Sequence, residues 1–419
     1  MVLVAAALAV PQLWDWNVEV NWPPLNALWE PRLSVMMLPA IVIGLSLVLL
    51  LPRLAERLPW RTLLLTAFAG MWVWTMALAM TDGTKGITRV FERNGEYVYD
   101  AQRVDSIPTM VSTFIDRMPR DSGPLHWKTH VAGHPPGALL DFVLIDRLGI
   151  TDLFWIGVVV VTIGCTAIIA ALVTLRALGS TELARSAMPW IALAPSAVWM
   201  AVNADTLFTA ISAWGIALLA IASTTPGTRR RAMAGVGAGL LLGLCVYQSY
   251  GLVLLGILAV AVLIIARSCR PLPWALLGSA VVVAIFTAMG FAWWEAYPVL
   301  VERYNFGIAS DRPYAYFVWA NLAAWTFTAG LAVWAAIPRA LHAVRERNPA
   351  ALLALAAMLT IGVATLSGMS KGETERIFMP FTIWVVALPM LLPGRWHKPL
   401  LFSQVVLALC VEALLLTRW

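Results

Sequence analysis

Charge is what this 419-residue chain has least of. Asp, Glu, Lys and Arg together make up 12% of it, about half of the roughly 25% usual in a soluble domain. The hydrophobic share is 60% and the mean hydropathy is +0.79, so a water-covered globule is excluded. Cysteine is scarce as well. Cys165, Cys245, Cys269 and Cys410 form no CxxC pair and have no histidine at ligand spacing, which argues against a disulfide framework and a zinc site. No basic stripe with interleaved aromatics occurs, so the net charge of +6 does not mark a nucleic-acid partner. Ionisable residues are nearly missing from the apolar runs, with Glu412 near the end of the last run as the clearest exception. Ion-coupled transport, which places such groups near the midplane, is disfavoured.

What is there is a series of uncharged runs, at about 1–13, 33–52, 61–80, 153–175, 184–200, 204–223, 232–247, 250–267, 274–293, 315–337, 350–368, 377–393 and 399–417. They are too long for barrel strands and lack period-two alternation, so each reads as a helix. The first has no basic n-region and no small-residue cleavage site, which reads as a span rather than a signal peptide. The expected fold class is an all-α polytopic membrane protein with about 13 transmembrane helices.

Gly137 to Leu148 is apolar too, but it holds Asp141, Asp146 and Arg147 within about 12 residues. Treating it as an interfacial helix puts Arg229-Arg230-Arg231, Arg267/Arg270 and Arg339/Arg345/Arg347 on the cytoplasmic side. There they join Arg53/Arg57/Arg61 and Arg395/Lys398, with Arg418 as a small exception on the other side. The loops 81–152, 294–314 and 369–376 then all lie outside. Trp190, Trp199, Trp274, Trp293, Trp294 and Trp319 near run ends suit interfacial anchors. Runs 232–247 and 250–267 meet at Tyr247-Gln248-Ser249-Tyr250-Gly251. That polar joint either lines a cavity or closes a tight outer hairpin. The chain reads as one membrane unit: extra spans over 1–60, a catalytic unit over 61–395 that contains the outer loop 81–152, and a last span over 396–419.

The outer loops collect the polar chemistry. Asp82 directly follows a span, with Gly83 and Gly86 beside it. Glycines let a ligand approach the backbone, and partial desolvation strengthens a carboxylate as a base. An ordinary helix-ending turn is the plainer reading. The segment from Arg89 to Asp100 mixes acids, including Glu96 and Asp100, with aromatics, which suits a sugar or a solvated face. Ile107 to Met118 spaces Met110, Phe114 and Met118 as a surface amphipathic helix. His126, His130 and His134 recur every four residues, but prolines and glycines deny His134 a continuous helix and no HExxH partner exists. No metal site is expected there; Lys128 and the histidines suit a phosphate better. Arg303, Arg312 and Tyr314 lie in a later outer loop, and Lys371, Glu373, Glu375 and Arg376 in another. Asp205 sits in an outer hairpin, as a helix N-cap or as a site acid.

In order and sidedness these elements resemble the GT-C superfamily of membrane glycosyltransferases, such as protein O-mannosyltransferases and aminoarabinose transferases. The resemblance covers roughly residues 60 to 395. It is carried by Asp82 after an early span, His134-Pro135-Pro136, the outer Asp205 and Glu373-Thr374-Glu375-Arg376. Three departures stand out. Gly-Thr-Lys follows Asp82 where members often show Asp-Glu or Asp-x-Asp, Gly137 replaces a leucine after the two prolines, and two extra spans precede Asp82.

The resemblance implies transfer of a sugar from a polyprenyl-phosphate donor to a glycan or glycolipid acceptor on the outer (periplasmic) face of the inner membrane. A lipid phosphate is a good leaving group, so it needs cations more than a general acid. The acceptor hydroxyl needs a base, and a single carboxylate gives single-step inversion. On this reading Asp82 is the base, and Lys128, His130, His134, Arg303, Arg312 and Arg376 hold the donor phosphate. Lys85, Glu96, Asp100, Asp205, Tyr314, Glu373 and Glu375 contact substrates. No cofactor is required, and a divalent cation is left open. The alternatives are a flippase for a lipid-linked saccharide, with no covalent chemistry, and an assembly subunit that only binds polyprenyl lipids.

Overall fold

The computed structural model describes residues 2–93 and 96–417, so Asn94, Gly95 and Arg418 lie outside the described residues. The chain is helical almost throughout, with one two-stranded ladder. Among the described residues, seven helices are long and apolar enough to cross a membrane, or up to nine if each of two bent pairs counts as one span. That corrects the expectation of about 13. The shortfall has local causes that hydropathy does not register. The run 184–200 ends as a helix at Ala192 and gives way to a 3-10 turn, Pro195–Val198. Pro195 lacks an N–H and forces Ala194 into extended backbone. The run 377–393 is divided into Met379–Val385 and a 3-10 turn over Leu388–Leu391. The first run and the run 250–267 give only short apolar helices.

The two bent pairs interrupt the run of straight helices. Leu272–Ala288 turns by 72° into Trp293–Asn305, and Tyr314–Ala329 turns by 102° into Leu331–Arg345. Gly330 sits at the second bend with φ 82°, a conformation that glycine adopts without a Cβ penalty. Elsewhere packing is close. A Cβ on Gly239 would lie 1.9 Å from the Ala275 carbonyl oxygen, and one on Gly278 2.3 Å from that of Val236. The helices Thr228–Gln248 and Leu272–Ala288 therefore pack backbone to backbone, as small-residue seams allow in lipid.

The two ends of the bundle differ in character. At one end Arg185 donates to the Ala55 and Leu58 carbonyls, joining the turn that holds Arg57 and Arg61. The opposite end carries the polar loops. There the expected amphipathic helix 107–118 is two short pieces, Ile107–Ser112 and a 3-10 turn Ile115–Arg117. Met110, Phe114 and Met118 are buried in protein rather than laid on a surface. Phe114 packs on Trp127 (5.2 Å between centroids) and on Phe291 (5.8 Å), which explains the change. The 137–148 stretch forms the helix Pro136–Arg147. It buries Leu139, Phe142 and Val143, and its Asp141 accepts from Gln248 at 2.6 Å.

The segments assigned as separate ends of the chain come together. β1 (Ala27–Trp29) pairs antiparallel with β2 (Leu415–Thr417). Tyr316 donates its hydroxyl to the Ala7 carbonyl at 2.7 Å, holding the first helix against Tyr314–Ala329. Residues 14–36 thus run across the polar end.

Candidate functional site

The centre of the polar end is Arg376. Its loop turns sharply because Gly372 (φ 89°) and Glu373 (φ 61°) both adopt left-handed backbone. A non-glycine residue held there costs on the order of 1 kcal/mol, a strain that clusters at functional sites. Asn321 staples the loop: it donates to the Ser370 carbonyl (2.6 Å) and accepts from the Gly372 N–H (3.1 Å). Arg376 is buried, with one guanidinium nitrogen on Asp205 and another 2.7 Å from Glu373. Asn203 supplies the N-cap of Ala204–Thr224 by accepting from the Thr206 N–H, which leaves the Asp205 carboxylate to Arg376. Burial would raise the pKa of Glu373, but Arg376 above all, with Arg312, holds it below the usual carboxylate range. Glu373 is therefore ionised at neutral pH.

Behind this pair sit two histidines and a carboxyl group. Glu96 is buried 3.3 Å from His130 Nε2. Burial pushes Glu96 up to about 7 and His130 down to about 3. The imidazole is neutral, and Glu96 titrates near physiological pH. His134 is also neutral, lowered by burial; its Nδ1 donates to the His130 carbonyl at 2.9 Å. Among the described residues no group of three or more His, Cys, Asp or Glu is placed to hold a metal ion.

These residues floor a cavity of about 440 Å³. Asp205, Glu373, Arg376, His130 and His134 lie at its base, and Arg120, Arg303, Arg312 and Lys371 stand round it. Arg303 donates to the Met118 and Trp127 carbonyls, and Lys371 to that of Ala309 at 2.9 Å. Neither bonds to a carboxylate, so their charges add to a positive rim. A third side is apolar, running from Leu300 and Ile377 to Val253 and Val363. Val253 and Val363 are 52% and 38% exposed, so that wall reaches the surface of the bundle.

Of the two readings of the 247–251 joint, the structure takes the cavity: Ser249, Tyr250 and Gly251 all line it. The joint sits this close because of Gly137. A Cβ there would lie 2.4 Å from the Tyr247 carbonyl oxygen, which gives a packing reason for the glycine that follows His134-Pro135-Pro136.

Asp82 lies elsewhere. It is not among the residues that line the cavity. Its carboxylate pairs with Arg32, a residue of the N-terminal segment, and with Arg89 at 2.9 Å. Arg32 also donates to the Glu412 and Leu415 carbonyls (2.9 and 2.8 Å), so Asp82 belongs to a knot joining three distant segments. The remaining expected residues divide as follows. Lys85 pairs with Glu92 at the surface. The Lys128 ammonium lies 5.2 Å from the Tyr99 ring, and the Lys128 N–H donates to Asp100. Tyr314 is exposed and donates to the Leu366 carbonyl. Glu375 is buried next to Arg376 in the chain, pushed up to about 7 by burial, and does not line the cavity. The structure thus gathers His130, His134, Asp205, Arg303, Arg312, Glu373 and Arg376, with Glu96 behind His130. Sequence reasoning missed Arg120, Arg32 and Asn26, whose Nδ2 lies 3.4 Å from Glu373.

No family model and no curated protein matches the chain. Among solved structures, it is similar to the crystal structure of ArnT from Cupriavidus metallidurans in the apo state. The likeness has a TM-score of 0.46 and 16% identity, and covers 71% of this chain and 54% of that one. The match therefore spans about half the length of that protein. A likeness of that order carries no inference about chemistry, which rests on the residues themselves.

Proposed function

We propose that the protein is a membrane glycosyltransferase that moves a sugar from a polyprenyl-phosphate donor to a glycan or glycolipid acceptor on the outer face of the cytoplasmic membrane. The observation that supports this best is the composition of the 440 Å³ cavity: a cationic rim, a carboxylate floor and an apolar wall that reaches the bundle surface. Those three features suit a phosphate, a sugar and a lipid tail. The outer placement is supported by the clustering of arginines at the other end.

In this reading Arg120, Arg303 and Lys371 receive the donor phosphate, and the tail lies along Val253 and Val363. As the bond from the anomeric carbon to the phosphate oxygen breaks, its electron pair goes to the phosphate, where the fixed cations stabilise the growing charge. The acceptor oxygen attacks from the opposite face, and its proton passes to a carboxylate. Glu373 takes this role rather than Asp82. It lines the cavity and is ionised, whereas Asp82 lies outside that lining. Asp205 positions Arg376, which in turn orients Glu373.

The test is transfer by the full-length protein in nanodiscs, using radiolabelled polyprenyl-phosphate mannose or arabinose and a glycan acceptor. A labelled glycan product is expected. Transbilayer movement of intact donor in proteoliposomes, with no product, would replace this reading by a flippase.

A further inference from the structure

A second cavity, of about 460 Å³, also reaches Glu373. Its walls come largely from residues 11–26, the part of the chain that precedes the resemblance noted above. Three residues, Ile308, Arg312 and Glu373, line both cavities. The two cavities meet at these residues, and Glu373 is the one carboxylate among the described residues common to the two linings.

The chemistry of the second cavity differs from that of the first. The sequence Trp16-Asn17-Val18-Glu19-Val20-Asn21 alternates, and Val18 and Val20 are buried against Tyr316 and Phe317. Asn17, Glu19 and Asn21 line the cavity as well, and Glu19 adopts left-handed backbone (φ 51°) between them. Asn26 is also there, 4% exposed, with its amide 3.4 Å from Glu373. Amides both donate and accept, which matches hydroxyl groups rather than an anion. The single cation, Arg312, is already committed to the Lys371 and Glu19 carbonyls (2.5 and 3.1 Å). Its buried Nε has no hydrogen-bond partner.

We infer that the cavity walled by residues 11–26 is the acceptor subsite, taking a hydroxyl-rich glycan whose attacking oxygen reaches Glu373 from the side opposite the donor. This rests on the glycosyltransferase reading and extends it. Single-step inversion needs the acceptor oxygen to approach opposite the bond to phosphate that breaks, and two cavities that meet at Glu373 suit this: the new bond to the acceptor oxygen forms as the bond to phosphate breaks, and the acceptor proton ends on Glu373.

The test measures binding, so it does not depend on turnover. Full-length protein in nanodiscs is titrated with mannotriose, maltotriose and a chitotriose, each free and carrying an octyl aglycone, and separately with farnesyl phosphate. The comparison is wild type against Asn21→Trp, which fills the cavity from an exposed position. At least one trisaccharide should bind wild type and lose tenfold or more in the variant, while farnesyl phosphate binds both within twofold. A stronger octyl form would point to a glycolipid headgroup, and equal binding to a free glycan; either supports the subsite. No trisaccharide binding to wild type, or binding indifferent to Asn21→Trp, overturns it. Sugar binding of the expected kind without any transfer would leave the subsite standing and remove the glycosyltransferase reading instead.

Discussion

Arg376 closes on Asp205 across 171 residues of sequence, so the start of one core helix and the loop 369–376 share a single buried ion pair. Glu373 completes the triple on the other guanidinium nitrogen. Removing Arg376 leaves the buried Asp205 carboxylate without its partner, which costs about 3–5 kcal/mol, and Glu373 with Arg312 alone. Arg376→Ala is therefore expected to lower the melting temperature sharply in detergent. Arg376→Lys keeps the charge but cannot hold both acids in one plane; it should stay folded and lose at least about tenfold in transfer. Full transfer by the lysine variant would mean the fork geometry is unimportant.

Glu373→Gln isolates the proton-accepting role. General-base contributions are typically about 10²- to 10⁴-fold, and a loss in that range is expected in transfer rate, with farnesyl phosphate binding little changed. A loss under about threefold would assign the base elsewhere.

The positive rim makes a separate prediction. Hydrogen bonds to charged groups are worth about 1.5–3 kcal/mol, so Arg120→Ala combined with Arg303→Ala should raise the donor KM by at least about tenfold with a smaller change in kcat. Weaker donor binding at high salt should be seen in wild type and be blunted in the double variant.

For Asp82→Asn the expectation is a stability effect. The substitution leaves Arg32 and Arg89 facing each other without their shared anion, so the melting temperature should fall by several degrees. Transfer per folded molecule should remain within about threefold of wild type. Loss of all transfer in a variant that melts normally would restore Asp82 as the base.

Glu96 gives a pH signature. Its folded-state pKa, about 7, lies above the ordinary 4.5 because burial outweighs Arg376. A raised carboxyl pKa contributes stability below the unfolded value that is lost as pH rises through the folded one. His130 runs the other way: lowered to about 3 by burial, it adds stability above about 6.5 that is lost as pH falls. The two oppose each other between pH 4.5 and 6.5. Glu96→Gln removes the first, so the melting temperature of the variant relative to wild type should climb from pH 4.5 to 7. A pH-independent difference would contradict the buried, titrating carboxyl.

Much of the clustering at the candidate site was legible in the sequence because charge bias grouped the polar loops together. His130, His134, Asp205, Arg303, Arg312, Glu373 and Arg376 could be grouped before any coordinate. What sequence could not show was the direction in which a side chain leaves its element. Asp82 follows a span as expected, yet it turns toward Arg32 rather than toward Arg376. Arg32 and Asn26 had no local signal, since their partners lie 50 and 347 residues away. The span count failed at Pro195 and Gly330, where backbone chemistry interrupts runs that hydropathy reads as continuous.

The close seat of Gly137 under the Tyr247 carbonyl makes one hydrogen atom into a gauge for the donor cavity. Because Ser249 and Tyr250 follow directly on the contacted backbone and line that cavity, anything larger at position 137 must lift their wall. The calibre of the chamber is thus set by a residue that is not among those lining it. On the glycosyltransferase reading proposed above, changing the residue that follows the two prolines is expected to retune donor choice without altering any charge.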